Sequence, residues 1–191
     1  KEKKWQSVEF IPSNKWNIGV LGIGAIGKNV ALSLSNFGYN VMGWSRSKKN
    51  IKEIQCYYGE SGLYKMLPKS KILVCILPLT QETKHIISKE TMSHLPDGAT
   101  LINAGRGGHV NEDDLLHMID KGKIKNAHLD VFETEPLPPN HIFWNHQKIS
   151  VWPHISAETN TETSIDQIVH AARCLMKNIE PPNQINRPKG Y

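Results

Sequence analysis

The 191-residue chain predicts an α/β fold, a doubly wound parallel sheet with helices on both faces and one further C-terminal helix. Three observations carry that expectation. Apolar strand-sized runs alternate with helix-like segments along the chain. The runs are apolar at consecutive positions, as in strands buried on both faces. A glycine-rich turn joins the first run to the first helical segment, the junction at which such sheets meet a ligand.

Taken in order, the strand-like runs are WNIGVLG, YNVMGWS, ILVCILP, ATLINAG, IKNAHLDVF and ISVW. Between them lie helix-like segments: GKNVALSLSNFG, a short charged stretch, a helix near 88–94, and EDDLLHMIDKG. Asn111 followed by Glu112-Asp113-Asp114 is a capped, acid-rich first helical turn. Asp97-Gly98 and Lys121-Gly122 are turn or helix-stop signals. PLPPNHIF reads as a proline-rich surface loop, because proline gives no donor to a ladder. After Ser156 a helix of about twenty residues is expected to run to about Asn178, ahead of Pro181-Pro182.

Charge and cysteine content narrow the function classes. Net charge is +5, with eight Lys or Arg against two Glu in the first fifty residues. There is no basic stripe with interleaved aromatics, so a local phosphate site is favoured over nucleic acid. No apolar run reaches the ~20 residues of a membrane span, and the chain is expected to be soluble. Cys56, Cys75 and Cys174 are widely spaced without a CxxC pair, which predicts free thiols, a cytoplasmic setting and no metal site.

The turn Gly22-Ile23-Gly24-Ala25-Ile26-Gly27 follows the strand NIGVL and opens the helix KNVALSL. Its first glycine permits the tight turn, the second lets backbone approach a pyrophosphate, and the third allows close packing at a helix N-terminus. Gly22, Gly24, Ala25, Ile26 and Gly27 are therefore cofactor-binding candidates. The next strand ends in Trp44-Ser45-Arg46-Ser47-Lys48, with no acid to hold ribose hydroxyls. Hydroxyls and a guanidinium there suit a phosphate dianion, so NADPH is preferred and NADH is possible. A solvated basic turn is the bland alternative.

Three further residues stand just beyond strand-like runs: Arg106 in LINAGRGG, Glu135 in AHLDVFETEPLPP, and His154 in ISVWPHISAET. Ionisable groups at strand ends of an open α/β sheet are where a bound ligand is reached. An arginine fork suits an anion, and a histidine suits proton transfer near neutral pH.

The segments VLGIGAIG, LPLTQETKHII, LPDGATLINAGRGGHVNEDDLL, KIKNAHLDVFETEPLPP and WPHIS, in this order, resemble the D-isomer-specific 2-hydroxyacid dehydrogenases. The resemblance covers nearly the whole chain and implies a Rossmann-like nucleotide-binding domain. The WSR turn and the Gly-Tyr ending resemble the branch of that family that reduces glyoxylate and hydroxypyruvate. The implied reaction is hydride transfer from NADPH to C2 of a small 2-keto acid such as these. Arg106 would grip the substrate, His154 would be the general acid, and Glu135 would hydrogen-bond the imidazole. Glu133 lies on the same side of its extended segment, and the family spacing from Asp130 selects Glu135. The implied cofactor contacts add Leu77, Pro78 and Thr83 near the adenosine, Ala104 and Gly105 beside the nicotinamide ribose, and Asp130 at the carboxamide. Trp44, Arg106, His154 and Ser156 complete the set.

Two positions depart from the pattern. Gly105 replaces a frequent Ala before the arginine and is expected to loosen that loop, and Trp152 is bulkier than usual. The expected organisation is a dinucleotide-binding domain over 1–155, with residues 1–14 as a lead-in. Residues 156–191 would form a helix and tail that pack on a substrate domain largely missing upstream. About one ordinary domain is expected to be missing upstream, and weak or no turnover is expected of this chain alone. A homodimer through the nucleotide-binding domain is implied, and a nucleotide-sensing, corepressor-like module is the alternative function.

Overall fold

The computed structural model describes residues 10–157 and 159–184. The start of the lead-in (1–9), Glu158 and residues 185–191 with the Gly-Tyr ending lie outside the described residues. The strands are β1 (Asn17–Leu21), β2 (Asn40–Ser45), β3 (Gln55–Tyr58), β4 (Ile72–Cys75), β5 (Ala99–Asn103), β6 (Ile124–Leu129) and β7 (Ile149–Val151). The α-helices are α1 (Ala25–Asn36), α2 (Gly59–Met66), α3 (Lys89–Ser93), α4 (Glu112–Asp120) and α5 (Thr161–Met176). All seven strands pair in parallel in the order β3-β2-β1-β4-β5-β6-β7. This is the Rossmann-like sheet that the alternation predicts.

The two faces of the sheet carry separate cores. Ile18, Val20, Val41 and Val74 pack with Ala31 of α1 on one side. Leu73, Cys75 and Leu101 pack with Leu63 and Met66 of α2, Met92 of α3, and Leu115 and Ile119 of α4 on the other. Neighbouring residues of β4 thus supply opposite cores, which is why its sequence is apolar at every position. Each large aliphatic so buried contributes roughly 1.5–3 kcal/mol.

Local signals act where the sequence puts them. Asn111 caps α4, its Oδ1 accepting from Asp114 N at 3.0 Å, and Gly98 and Gly122 adopt positive φ of 65° and 73°. β3 and α2 are the elements that sequence periodicity leaves as a charged stretch. β3 is a four-residue edge strand and α2 contains two glycines, so neither displays a full apolar period.

The chain divides into two compact units, Lys1–Pro153 and His154–Tyr191. In the second, α5 begins after the cap Asn160, whose Oδ1 accepts from Thr163 N at 3.0 Å. It is shorter than the twenty residues expected and contains no buried residue. Ile168 is 68% and Leu175 63% exposed.

Candidate functional site

Strand order reverses direction between β1 and β4, so the loops that leave their C-terminal ends diverge and open a crevice. Gly22 follows β1 with φ 97°, and a Cβ there would meet the Ile76 carbonyl at 2.7 Å. Its N–H donates to the Trp44 carbonyl at 2.9 Å, tying the turn to the end of β2. A Cβ on Gly27 would lie 1.7 Å from the Gly22 carbonyl oxygen, so helix and turn can approach only through glycine. A Cβ on Gly24 would meet nothing within 4 Å.

Gly24 is the N-cap of α1, which has neither a side-chain cap nor an acid in its first turn. Gly24, Ala25 and Ile26 are exposed. A helix start without its own cap, beside open space, presents N–H groups and a positive dipole end to an anion. These residues fit the pyrophosphate of a dinucleotide.

The end of β2 supplies the cationic rim. Arg46, Ser47 and Lys48 are exposed, and Ser45 Oγ donates to Ser47 O at 2.8 Å. Arg46 Nη1 is paired with Glu82 Oε2, from the loop that follows β4. Trp44 is buried, its indole N–H donating to Gly59 O at 2.8 Å, so its side chain belongs to the core. The Thr83 hydroxyl donates to Pro78 O at 2.8 Å and accepts from Thr80 N at 2.8 Å. Thr83 thereby shapes the turn that carries Leu77, Pro78 and Glu82.

Arg106 rides on the loop after β5, built on polar groups that sequence reading passed over. Ala104 N–H donates to Cys75 O at 3.1 Å, joining this loop to the end of β4. Asn103 is fully buried: its Nδ2 donates to Arg106 O at 3.0 Å and its Oδ1 accepts from Gly105 N at 3.2 Å. His109, also fully buried, accepts the Arg106 N–H on Nδ1 at 3.1 Å. Its ring approaches the Pro78 carbonyl, but Nε2 has no partner of good geometry. Burial pushes the imidazole below its ordinary value, against the opposing pull of the Pro78 and Arg106 backbone.

The loosening expected of Gly105 is not what the structure has. A Cβ there would come within 3.0 Å of both His109 Nδ1 and Leu77 O, so the missing side chain leaves the space the imidazole lines. Gly105 is buried, and its carbonyl accepts from Arg106 Nη1 at 2.7 Å. Gly107 matters equally: a Cβ on it would lie 1.8 Å from the Phe132 carbonyl carbon, so the loops after β5 and β6 touch through it. An Asn closing the apolar run ATLIN was the signal available for Asn103; His109 carried none among nine histidines.

On the β6 loop, Asp130 is buried and its N–H donates to Asn103 O at 3.0 Å. Glu135 Oε1 accepts from Phe132 N at 2.9 Å, closing the turn that abuts Gly107. Glu133 has different partners: its carboxylate lies 3.5 Å from His85 Nε2, and its N–H donates to Glu112 Oε1 at 3.4 Å. His141 Nε2 lies 3.2 Å from Glu112 Oε2, fastening the proline-rich loop to α4.

His154 opens the second unit. It is exposed and holds a left-handed backbone at φ 55°, an uncommon state for a side chain larger than glycine. Ser156 and Ile155 beside it are exposed, and Trp152, in the first unit, is 52% exposed. Cys75 is a buried free thiol pushed up to about 12 by burial, which leaves it without nucleophilic character at neutral pH. Among the described residues no group of three or more His, Cys, Asp or Glu could hold a metal ion, and no helix is long and apolar enough to cross a membrane.

A family model described as the NAD-binding domain of the D-isomer-specific 2-hydroxyacid dehydrogenases matches residues 1–156. A glyoxylate/hydroxypyruvate reductase A of Serratia proteamaculans is 38% identical over 190 residues, which are 100% of this chain and 61% of the relative. That of Salmonella paratyphi B is 37% identical over 187 residues, 98% of this chain and 60% of the relative. A D-isomer-specific 2-hydroxyacid dehydrogenase of Xanthobacter autotrophicus, crystallised with NADPH and MES, superposes with a TM-score of 0.97 at 37% identity, covering 100% of this chain and 78% of that one. The NADPH-dependent glyoxylate/hydroxypyruvate reductase of Sinorhizobium meliloti, with NADP and sulfate, gives 0.94 at 31% identity, covering 98% and 61%. The chain spans about three fifths of the length of the curated relatives it matches.

Proposed function

The chain belongs to the D-isomer-specific 2-hydroxyacid dehydrogenase family, and on that premise we propose that it is the cofactor half of an NADPH-dependent reductase of small 2-keto acids, glyoxylate and hydroxypyruvate among them. The observation that supports this most is the uncapped start of α1 behind Gly24, standing at the same sheet edge as the Arg106 loop. The relatives named glyoxylate/hydroxypyruvate reductase A and the neighbours crystallised with NADPH or NADP support it from outside the chain. A cytoplasmic homodimer, formed through the nucleotide-binding domain, is part of the same proposal.

In this proposal Gly22, Gly24, Ala25, Ile26 and Gly27 receive the pyrophosphate, and Ser45 to Lys48 take the 2′-phosphate. Leu77, Pro78, Ala104, Gly105 and Asp130 line the rest of the cofactor, with Trp44 and Thr83 shaping the loops that bear them. When bound, the dinucleotide supplies the hydride for reduction of the keto carbon. Arg106 presents a guanidinium fork to the substrate carboxylate and carbonyl, where charge-assisted pairs are about twice as strong as neutral ones. His154 delivers a proton to the carbonyl oxygen. General acid catalysis of this type contributes ~10²–10⁴ in rate.

The test follows NADPH consumption with glyoxylate, hydroxypyruvate and a bulkier 2-keto acid, for this chain and for a longer form carrying an upstream domain. The longer form should turn over, and its Arg106→Lys variant should lose ~10–100-fold in kcat/KM, the value of one charged hydrogen bond. Absence of turnover in the longer form, with NADPH still bound, would leave a nucleotide-sensing module as the better description.

A further inference from the structure

No acid follows β2 in the sequence, yet the fold brings one to the same place. Arg46 stands one residue beyond β2 and Glu82 lies in the loop beyond β4, and these two strands flank β1. The Arg46–Glu82 ion pair therefore bridges the loops on either side of the glycine turn, between residues 36 apart in sequence. Glu82 is set on a tight turn whose backbone is pinned by Thr83 N to Thr80 O at 3.1 Å and Lys84 N to Thr80 O at 2.9 Å. Its side chain is 65% exposed and that of Arg46 42%.

We propose that Glu82 is a specificity-determining residue, an internal competitor for Arg46 that holds down the preference for a 2′-phosphorylated dinucleotide. This rests on the reading of Arg46 as the 2′-phosphate clamp. A guanidinium binds a carboxylate or a phosphate through the same planar fork. With Nη1 taken by Glu82, an arriving dianion must displace the carboxylate or share the guanidinium with a like charge at close range. The organising value of the pair is small, because an exposed ion pair contributes little beyond its entropy cost. Repulsion of the dianion is the larger effect. A dinucleotide with a free ribose 2′-hydroxyl meets no such repulsion, and the Glu82 carboxylate remains an acceptor for ribose hydroxyls, the service an acid after β2 gives elsewhere.

The test titrates NADPH and NADH by fluorescence against this chain and its Glu82→Gln, Arg46→Gln and doubly substituted variants. Glu82→Gln should tighten NADPH about three- to tenfold at low ionic strength, with the gain shrinking as salt screens the charges. NADH should change by less than about twofold, and the gain for NADPH should fall away in the Arg46→Gln background. Unchanged or weaker NADPH binding in Glu82→Gln, or an equal gain for NADH, overturns the competitor role while leaving the clamp intact. If the unsubstituted chain binds NADPH no better than NADH, or Arg46→Gln leaves its preference unchanged, the clamp itself fails and the inference falls with it. Glu82→Thr serves as a second variant, and melting curves of both confirm that folding is retained.

Discussion

The glycine turn after β1 and the Arg106 loop after β5 leave the two strands that flank β4, and they are built by opposite means. The first works by omission. Gly22, Gly24 and Gly27 remove side chains so that backbone can meet backbone, and α1 is left without a cap for an anion to supply. The second works mostly by insertion. Asn103 and His109 are polar side chains driven fully into the core, where they grip the carbonyl and amide of Arg106. A loop that receives a ligand's backbone-bound phosphates needs space and free amides. A loop that must aim one long cationic side chain needs its own backbone fixed, and buried hydrogen bonds fix it because breaking them strands polar atoms.

The contrast is open to experiment, and the largest effect is expected at the turn built by omission. Gly27→Ala forces a Cβ into the Gly22 carbonyl and should cost about 3–5 kcal/mol in denaturant unfolding, abolishing dinucleotide binding as the turn opens. Near-normal stability and binding would mean that the contact relaxes easily and that omission is not what builds this turn. Asn103→Ala should cost less, about 1–3 kcal/mol, for the loss of bonds to a buried carbonyl and amide. In a longer, active form it should raise KM for the keto acid while the Kd for NADPH stays put. Equal losses of both would make Asn103 a general core residue and erase the distinction between the loops.

The smallest effect is a pH dependence. The folded His109 takes its proton below its ordinary value of 6.5, so the unfolded chain binds that proton first as pH falls. Its contribution to stability is complete above pH 6.5 and is lost as pH drops toward the lower folded value. In His109→Asn, whose Oδ1 can accept the Arg106 N–H from nearly the same place, the melting temperature should fall less steeply below pH 6.5. Parallel curves for the two proteins would show that His109 is not held neutral by burial.

Much of this was legible in the sequence. The alternation of apolar runs and helical segments is local and names six of the seven strands, and the spacing of Gly22, Gly24 and Gly27 announces the turn they build. The stop signals at Gly98 and Gly122 and the cap at Asn111 act within four residues of themselves. β3 and α2 were not legible, because an edge strand of four residues and a helix with two glycines show no full period of burial. The burial of Trp44 was not legible either: its side chain is fixed in the core by a bond to Gly59 that no spacing displays.

By itself the sequence determined the parallel sheet, the glycine turn, the missing acid after β2 and the identity of each polar residue near strand ends. Periodicity and turn chemistry are properties of neighbours along the chain, and a reader needs nothing else to see them. Only the tertiary structure decided that Glu82 meets Arg46, that Gly107 seats the Arg106 loop on Phe132, and that His109 turns its ring to the Arg106 amide. These contacts depend on which strands flank which, and that order is settled by packing two cores against one sheet rather than by any local pattern.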